Sequence, residues 1–437
     1  MNHITSFFEL NVNKTSINQE IRAGITTFLT MAYIIVVNPS ILSQTGMDPN
    51  SVFLATCFTS AIGCFLIGLL ANYPLGVAPG MAMNAYFAYQ ITNNLGIAWQ
   101  DALGLIFISG ILFFLICITP IKTWILDAIP ESLNLAISSG IGVFIGYIAL
   151  KQIGLITVSA NGFPEMGNIA NISTLLALFG FLSIIVMEHH KIPGAIITAI
   201  ILTSLLNFFI GDVPAVVSHS SSMLDFSTFF NLSLNNLRFD HHNLSVILTF
   251  LFVVLFDTTG TLLAIIKNKN KAENNKRNSR ALLANSITTL AGTAFGTTPT
   301  SPYIESASGI KAGGRTGLTA VTIGVCFMLA LVISPLIKLV PIYATAPALL
   351  YIACLMIEHL AEIKWHVLTD AIPAALTLMM IPFTFSIADG IGFGIISYCF
   401  LKLFCKEEED KDNQPPVHPM MWALCIIFII FFMTRVA

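Results

Sequence analysis

The feature that most limits what this chain can fold into is a succession of long apolar runs separated by short polar breaks. A helix needs roughly 20 mostly apolar residues to cross the hydrocarbon core of a bilayer. The runs fall at 23–44, 51–72, 82–94, 100–120, 132–151, 173–188, 192–210, 243–266, 281–296, 303–311, 317–339, 344–358, 367–385 and 388–404, and a further run covers 419–434. They are continuous rather than alternating, so helices fit and a transmembrane barrel does not. Charged residues make up 10% of the 437 and mean hydropathy is +0.82, against about one-quarter charged in a soluble domain. That balance excludes a cytosolic enzyme and a disordered regulator. A net charge of −3 leaves no electrostatic footprint for nucleic acid. The expected fold is an all-α polytopic membrane protein.

Basic residues set the expected orientation. The stretch 267–280 holds Lys267, Lys269, Lys271, Lys276, Arg277 and Arg280, and belongs on the cytoplasmic side. Counting back eight spans places the N-terminus inside, in agreement with Lys14 and Arg22. Counting forward places Lys311, Arg315 and the charged tail 402–412 inside as well, and the long loop 211–242 outside. Residues 1–22 read as a cytoplasmic lead-in without a cleavable signal. The expected location is the cell (inner) membrane, with many passes. The eight cysteines form no CxxC pair and read as small core hydrophobes.

Two candidate spans are too short to cross alone. They are Val77–Tyr89 (VAPGMAMNAYFAY) and Gly296–Gly309 (GTTPTSPYIESASG), each with Pro and Gly ahead of a short helical stretch. They occupy the third and tenth positions if the chain is two halves of seven spans, and an odd number per half makes the halves inverted. Paired short segments interrupted by Gly and Pro are the best sequence pointer to a transporter's binding site.

Most charges sit at expected loops, but two acids do not. Asp257 lies in the middle of the eighth span and Glu305 in the short tenth. A charge at the bilayer centre costs about 2.5–3.5 kcal/mol on insertion scales, so such residues face cavities and serve ion or substrate movement. Thr258, Thr259, Gly260 and Thr261 follow Asp257, and Thr297, Thr298, Thr300 and Ser301 precede Glu305. Their hydroxyls offer hydrogen bonds where bulk water is absent. Pro302 suits a first helical turn, which puts Glu305 near a helix N-terminus, where the dipole favours an anion. Pro79 and Gly80 open the short helix that carries Asn84, which is expected to face Glu305 across a pseudo-twofold axis. Asn38, beside Pro39 near the end of the first span, is a supporting candidate that reads equally as a helix terminus.

Other patterns carry less. The glycines of 140–146 (GIGVFIG) follow no strand and read as close helix packing. The KAGGRT stretch at 311–316 lacks the P-loop spacing. The pairs His189–His190 and His241–His242 fall in expected loops. No cofactor or metal is expected, and no nucleophile–base pair suggests an enzyme.

At these residues the chain resembles the nucleobase:cation symporter-2 family, in its AzgA-like purine permease branch. The resemblance rests on ITTFLTMAYIIVVNPSIL (25–42), LLANYPLGVAPGMAMNAYFAY (69–89), LFDTTGTL (255–262), TSPYIESASGIKAGGRTGLTAV (300–321), YATAPAL (343–349) and IPFTFSIADGIGFGIISY (381–398). It implies a proton-coupled importer of free purine bases in the cytoplasmic membrane. It also implies the uracil-transporter fold of fourteen spans in two inverted sevens, with a short strand and half-helix in spans 3 and 10. The implied division is a cytoplasmic segment 1–22, a core domain in 23–120 and 243–339, and a gate domain in 132–210 and 344–404. The loop 211–242 and a charged segment with a C-terminal apolar helix, 405–437, complete the chain. Asp257 and Glu305 match the acidic sites of spans 8 and 10. Where the uracil transporter has a histidine four residues after the span-8 acid, this chain has Thr261, so a histidine relay is not expected.

The expected substrate site is then Glu305, Asn84, Tyr86, Thr300 and Ser301, with Asp257 as the proton-coupling acid and Thr258, Thr261 and Asn38 in support. Tyr86, Phe87 and Tyr303 are placed to stack on a ring. An ionised carboxylate only accepts hydrogen bonds, which suits the N1–H and 2-amino edge of guanine, and the N1–H of hypoxanthine. Adenine, with one donor beside one acceptor, is the alternative. An anion exchanger of the sulfate-transporter kind is the rival class, and the acidic site groups argue against it. Expected partners are a purine base, protons and the bilayer, with a homodimer as the candidate assembly.

Overall fold

The computed structural model describes residues 2–159, 163–192, 194–210, 225–234, 241–265, 271–333, 342–404 and 417–436, and these are overwhelmingly helical. Helix α1 (Asn2–Phe7) precedes a first crossing that is divided into α2 (Ile17–Met31) and α3 (Ile34–Leu42). Ser16 caps α2 by accepting from the Gln19 N–H, so this crossing starts well ahead of the expected residue 23. At the joint the backbone tightens to three-residue turns, Ile35 N–H to Ala32 O and Val36 N–H to Tyr33 O. Helix α4 (Pro49–Leu66) begins with Pro49 behind an Asp48 cap. It continues as a wider π-turn to Ala71.

Strand β1 (Val77–Pro79) and helix α5 (Met81–Ala85) follow, the latter continuing as π-helix through Asn94. Next come α6 (Trp99–Ile118), α7 (Ile121–Ala128), α8 (Glu131–Ile153) and an exposed hairpin of β2 (Ile156–Val158) and β3 (Pro164–Met166). Helices α9 (Ile172–His189), α10 (Ala195–Ile210), α11 (His241–Ile265) and α12 (Lys271–Phe295) lead to strand β4 (Thr300–Pro302). The chain then forms α13 (Ser306–Lys311), α14 (Gly317–Ala330), α15 (Ile342–Ile357), α16 (Leu368–Thr384), α17 (Ile387–Phe404) and α18 (Pro419–Val436). Among the described residues, eight helical stretches are long and apolar enough to cross a membrane, with four shorter apolar helices beside them.

Several boundaries differ from expectation for identifiable reasons. The basic stretch is helical from Lys271, because Ala272, Glu273, Lys276 and Arg277 are good helix formers. His241 and His242 open α11 rather than lying in a loop. Of the expected loop 211–242, residues 225–234 run across the ends of α4 and α12. There the Thr228 N–H donates to Ser51 Oγ at 2.9 Å and the Phe230 N–H to Ala294 O at 2.7 Å. The rest of that loop up to residue 240, the end of the expected eleventh span and the charged run 405–416 lie outside the described residues.

Helices α2, α4, α6, α12 and α14 pack on one another around β1 and β4, while α8, α9, α15, α16 and α17 form a second group. Small residues allow the close approach in the second group: a Cβ at Gly142 would strike Met356 of α15 and crowd the Ala353 carbonyl. The run 419–434, for which the sequence offers no role, docks as α18 on α17 and α11. It buries Met421, Leu424 and Phe428, and the Phe428 ring lies 4.9 Å from that of Phe252.

Asp257 and Glu305 are not the only acids drawn inside. Glu20, expected in the polar lead-in, is fully buried. Its carboxylate accepts from the Arg315 N–H (3.0 Å), the Thr316 N–H (3.2 Å) and the Thr319 hydroxyl (2.6 Å), tying α2 to the start of α14. Asp389, in the first turn of α17, is also buried. Glu20→Ala removes the acceptor of the buried Thr316 N–H and the part-buried Arg315 N–H and the nearer acceptor of the Thr319 hydroxyl, and the expected cost is about 3 kcal/mol, read as a melting temperature several degrees lower in detergent. Glu9→Ala, which breaks the exposed 2.8 Å pair with Arg277, is expected to leave the melting temperature unchanged. Equal melting of the Glu20 variant and the wild type would refute the structural role.

Candidate functional site

The centre of the first helix group is a two-stranded ribbon made by segments more than two hundred residues apart. β1 and β4 pair antiparallel, with Val77 opposite Pro302, Ala78 opposite Ser301 and Pro79 opposite Thr300. The pairing extends at both ends, Gly80 N–H donating to Pro299 O at 3.0 Å and Tyr303 N–H to Gly76 O at 2.9 Å. Pro79 and Pro302 donate nothing to a ladder, which keeps the strands short. Cys64 of α4 takes the Val77 N–H on its sulfur at 3.3 Å, satisfying a group the ribbon leaves over. Helices α5 and α13 leave opposite ends of the ribbon, so their starts lie on the order of 10 Å apart, about three residues of strand.

Pro302 therefore ends a strand and does not occupy a first helical turn. The helix begins at Ser306 and Glu305 is its N-cap residue, but no side-chain cap bond forms. The Glu305 carboxylate turns instead to Tyr33, whose hydroxyl donates to Oε1 at 2.5 Å. Thr30 and Ser308 join the same two segments through their hydroxyls at 3.0 Å. Helix α13 sits directly on α2, since a Cβ at Gly309 would strike Thr27 Oγ1 and the Ala23 carbonyl.

Asp257 lies midway along α11, where its carboxylate faces the same corner of the ribbon as the Ser301 side chain. Gly80 closes this corner: a Cβ there would lie 3.3 Å from Ser301 Oγ and 3.7 Å from Asp257 Oδ2. Asp257 and Glu305 are both half-buried, whereas Phe256, Thr258 and Ser306 beside them are buried. Each acidic residue thus keeps some exposure that its neighbours lack.

The remaining expected residues divide into two kinds. Asn84 is buried on α5 and its Oδ1 accepts from the Thr298 hydroxyl, while among the described residues its amide N–H₂ has Met81 Sδ, at 3.9 Å, as its one hydrogen-bond partner. Tyr86 is buried with its ring 5.7 Å from that of Phe250. The Tyr303 hydroxyl donates to Pro79 O at 2.6 Å. Thr300 and Thr258, by contrast, are joined through Asn285 of α12. Asn285 donates to Thr258 Oγ1 at 2.9 Å, and Thr300 Oγ1 donates to Asn285 Oδ1 at 2.9 Å. Thr261 is buried one turn beyond Asp257. Asn38 donates to Thr56 Oγ1 at 2.7 Å and Thr297 Oγ1 at 2.9 Å, and its Oδ1 has no partner among the described residues. Sequence reasoning missed Tyr33 and Asn285. Asn285 had a signal, an amide inside an apolar run. Tyr33 had none beyond one hydroxyl in a hydrophobic stretch.

A broken-helix ribbon flanked by two acids is a transporter's kind of site. A model described as the Permease family matches residues 18–393. The chain belongs to the nucleobase:cation symporter-2 family. Relatives in this family of transporters include the adenine permease AdeP of Escherichia coli (strain K12), 39% identical over 97% of this chain and 95% of that protein. Another is the guanine/hypoxanthine permease PbuG of Bacillus subtilis (strain 168), 38% identical over 98% of this chain and 99% of that one. Among solved structures, the transmembrane domain of a cyanobacterium bicarbonate transporter, BicA, superposes with a TM-score of 0.65. The match covers 86% of this chain and 97% of that one, at 14% identity. That likeness is one of fold alone. The family and the run of long apolar helices make this member of the symporter family an integral membrane protein.

Proposed function

We propose that this protein imports free purine nucleobases across the cytoplasmic membrane by proton-coupled alternating access, with guanine and hypoxanthine as preferred substrates. The observation that carries the reading is the β1–β4 ribbon, which starts two half-helices beside the half-buried Asp257 and Glu305. The base sits between those half-helices. Glu305 accepts its N–H donors. The Asn84 amide, with its oxygen taken by Thr298, donates to the 6-oxo group or a ring nitrogen. Tyr86 and Tyr303 flank the ring, and Ser301 and Thr300 hold the ribbon and Asp257. Asp257 carries the proton.

The frame for this cycle is fourteen crossings in two inverted sevens, with the N-terminus in the cytoplasm. Helices α2–α6 and α11–α14 with the ribbon form the core that carries the base. Helices α8–α10 and α15–α17 form the gate. What supports the division is the separation of the packing into two helix groups. Adenine is the second reading, because an adenine permease is as similar to this chain as a guanine/hypoxanthine permease. An anion exchanger on the same scaffold would need cationic groups where this chain has carboxylates.

The deciding experiment is uptake of labelled guanine, hypoxanthine, adenine and uracil in cells lacking their own base transporters, with and without a protonophore. Guanine and hypoxanthine are expected to accumulate and the protonophore to abolish accumulation. Uptake of no base, with the protein present in the membrane, would overturn the proposal and return the anion exchanger.

A further inference from the structure

We infer that Tyr33 is a positioning residue for Glu305, holding that carboxylate in the one orientation that receives a base. The inference rests on the reading of Glu305 as base-binding. Tyr33 sits at the joint between α2 and α3 and is 1% exposed, flanked by the apolar residues 31–32 and 34–37. Its hydroxyl to Glu305 Oε1 distance of 2.5 Å is the length of a hydroxyl donating to a carboxylate. Among the described residues this is the one side-chain donor on the Glu305 carboxylate. Tyr303, the neighbouring phenol with its ring 6.4 Å from that of Tyr33, has its hydroxyl committed to the Pro79 carbonyl.

The consequence is geometric. A glutamate has three rotatable side-chain bonds, and an unpinned one must be ordered when the base arrives, at a cost in binding. Here one oxygen is fixed by Tyr33 before any base is present. Each carboxylate oxygen still has acceptor capacity for an N–H. The surrounding backbone is equally fixed: Ser308 donates to the Glu305 carbonyl at 2.7 Å and meets Thr30 at 3.0 Å. The segment around Glu305 is thus docked on the first crossing by two hydroxyl contacts, of which only the Tyr33 one reaches the carboxylate.

A residue that acts through Glu305 alters affinity for the base and leaves the turnover of the loaded carrier largely intact. The test is uptake kinetics of reconstituted Tyr33→Phe, which keeps the ring and removes only the hydroxyl, together with its melting temperature. The expected result is a KM raised by about ten-fold, the worth of one charge-assisted hydrogen bond, with Vmax close to that of the wild type and melting unchanged. An unchanged KM overturns the inference, whatever happens to Vmax, because a purely structural tyrosine would lower the amount of working carrier and not its affinity. Should the Phe variant fail to insert, Tyr33→His, whose ring donor ends short of Glu305, is read in the same way: a raised KM with retained Vmax supports the role and an unchanged KM overturns it. Failure of the underlying reading looks different. The wild type itself would then take up no purine base.

Discussion

Glu305→Gln is expected to lower guanine and hypoxanthine uptake by about 100-fold, equivalent to about 2.7 kcal/mol of lost binding, in protein that still reaches the membrane. The substitution is nearly isosteric. A glutamine oxygen still accepts from the Tyr33 hydroxyl at the 2.5 Å contact, so the segment and its docking on α2 stay in place. What changes is the other terminal atom, an acceptor in the carboxylate and a donor N–H₂ in the amide. Against the N1–H and 2-amino edge of guanine it opposes donor to donor. Leaving a buried donor unmatched costs about 1–3 kcal/mol, and losing a charge-assisted bond costs a similar amount. Adenine presents a donor beside an acceptor and is matched by an amide. Its uptake is expected to fall less, so the variant narrows the gap between the bases or reverses their order. Guanine uptake within about three-fold of wild type would remove Glu305 from the site, since a loss that small is below the worth of a single charged hydrogen bond. An equal loss for all bases at normal membrane levels would leave the site but discard the edge-matching argument.

Much of this site was legible in the sequence because its parts violate their surroundings. A carboxylate inside an apolar run is conspicuous, and both Asp257 and Glu305 stood out for that reason. Pro79 with Gly80, and Pro299 with Pro302, mark where a helix cannot be continuous. What the sequence does not carry is partnership. Tyr33 and Glu305 lie 272 positions apart, and a phenol in a hydrophobic stretch reads as packing until its hydroxyl is seen to have a target. Glu20 was hidden for the opposite reason. In Asn18-Gln19-Glu20-Ile21-Arg22 it looks like one turn of a solvated helix, and it is buried only because the turn before α14 folds over it and offers two backbone N–H groups and a hydroxyl. The same holds for the run 419–434. Its hydropathy suggests a helix, but its place against α17 and α11 depends on Gly392 leaving room for Phe428 and Phe432. Local rules therefore reach the breaks and the isolated charges, while contacts between distant segments decide which polar groups are structural and which keep an open side.

Asp257→Asn tests the coupling half of the proposal. It is expected to abolish concentrative uptake while base exchange persists. Asparagine keeps the size and shape of aspartate, so the corner formed with Gly80 and Ser301 is preserved. It cannot take up or release a proton. A carrier that needs neutralisation of one acid at membrane depth before the loaded core moves becomes, in this variant, a carrier that is permanently neutral at that point. Such a protein equilibrates the base across the membrane and no longer draws on the proton gradient. In proteoliposomes, labelled guanine is expected to enter by counterflow against unlabelled guanine inside, whereas an imposed acid-outside gradient produces no accumulation and a protonophore has no effect. Asp257→Glu separates charge from fit. It restores a titratable group but carries the carboxylate one methylene away from its place beside Gly80 and Ser301, so exchange and accumulation should both fall. Accumulation by the Asn variant at the wild-type level, still collapsed by a protonophore, would place the coupling proton elsewhere in the chain. Loss of counterflow together with accumulation would mean that Asp257 holds the site together rather than coupling it, since the two activities share binding and movement and differ only in the proton.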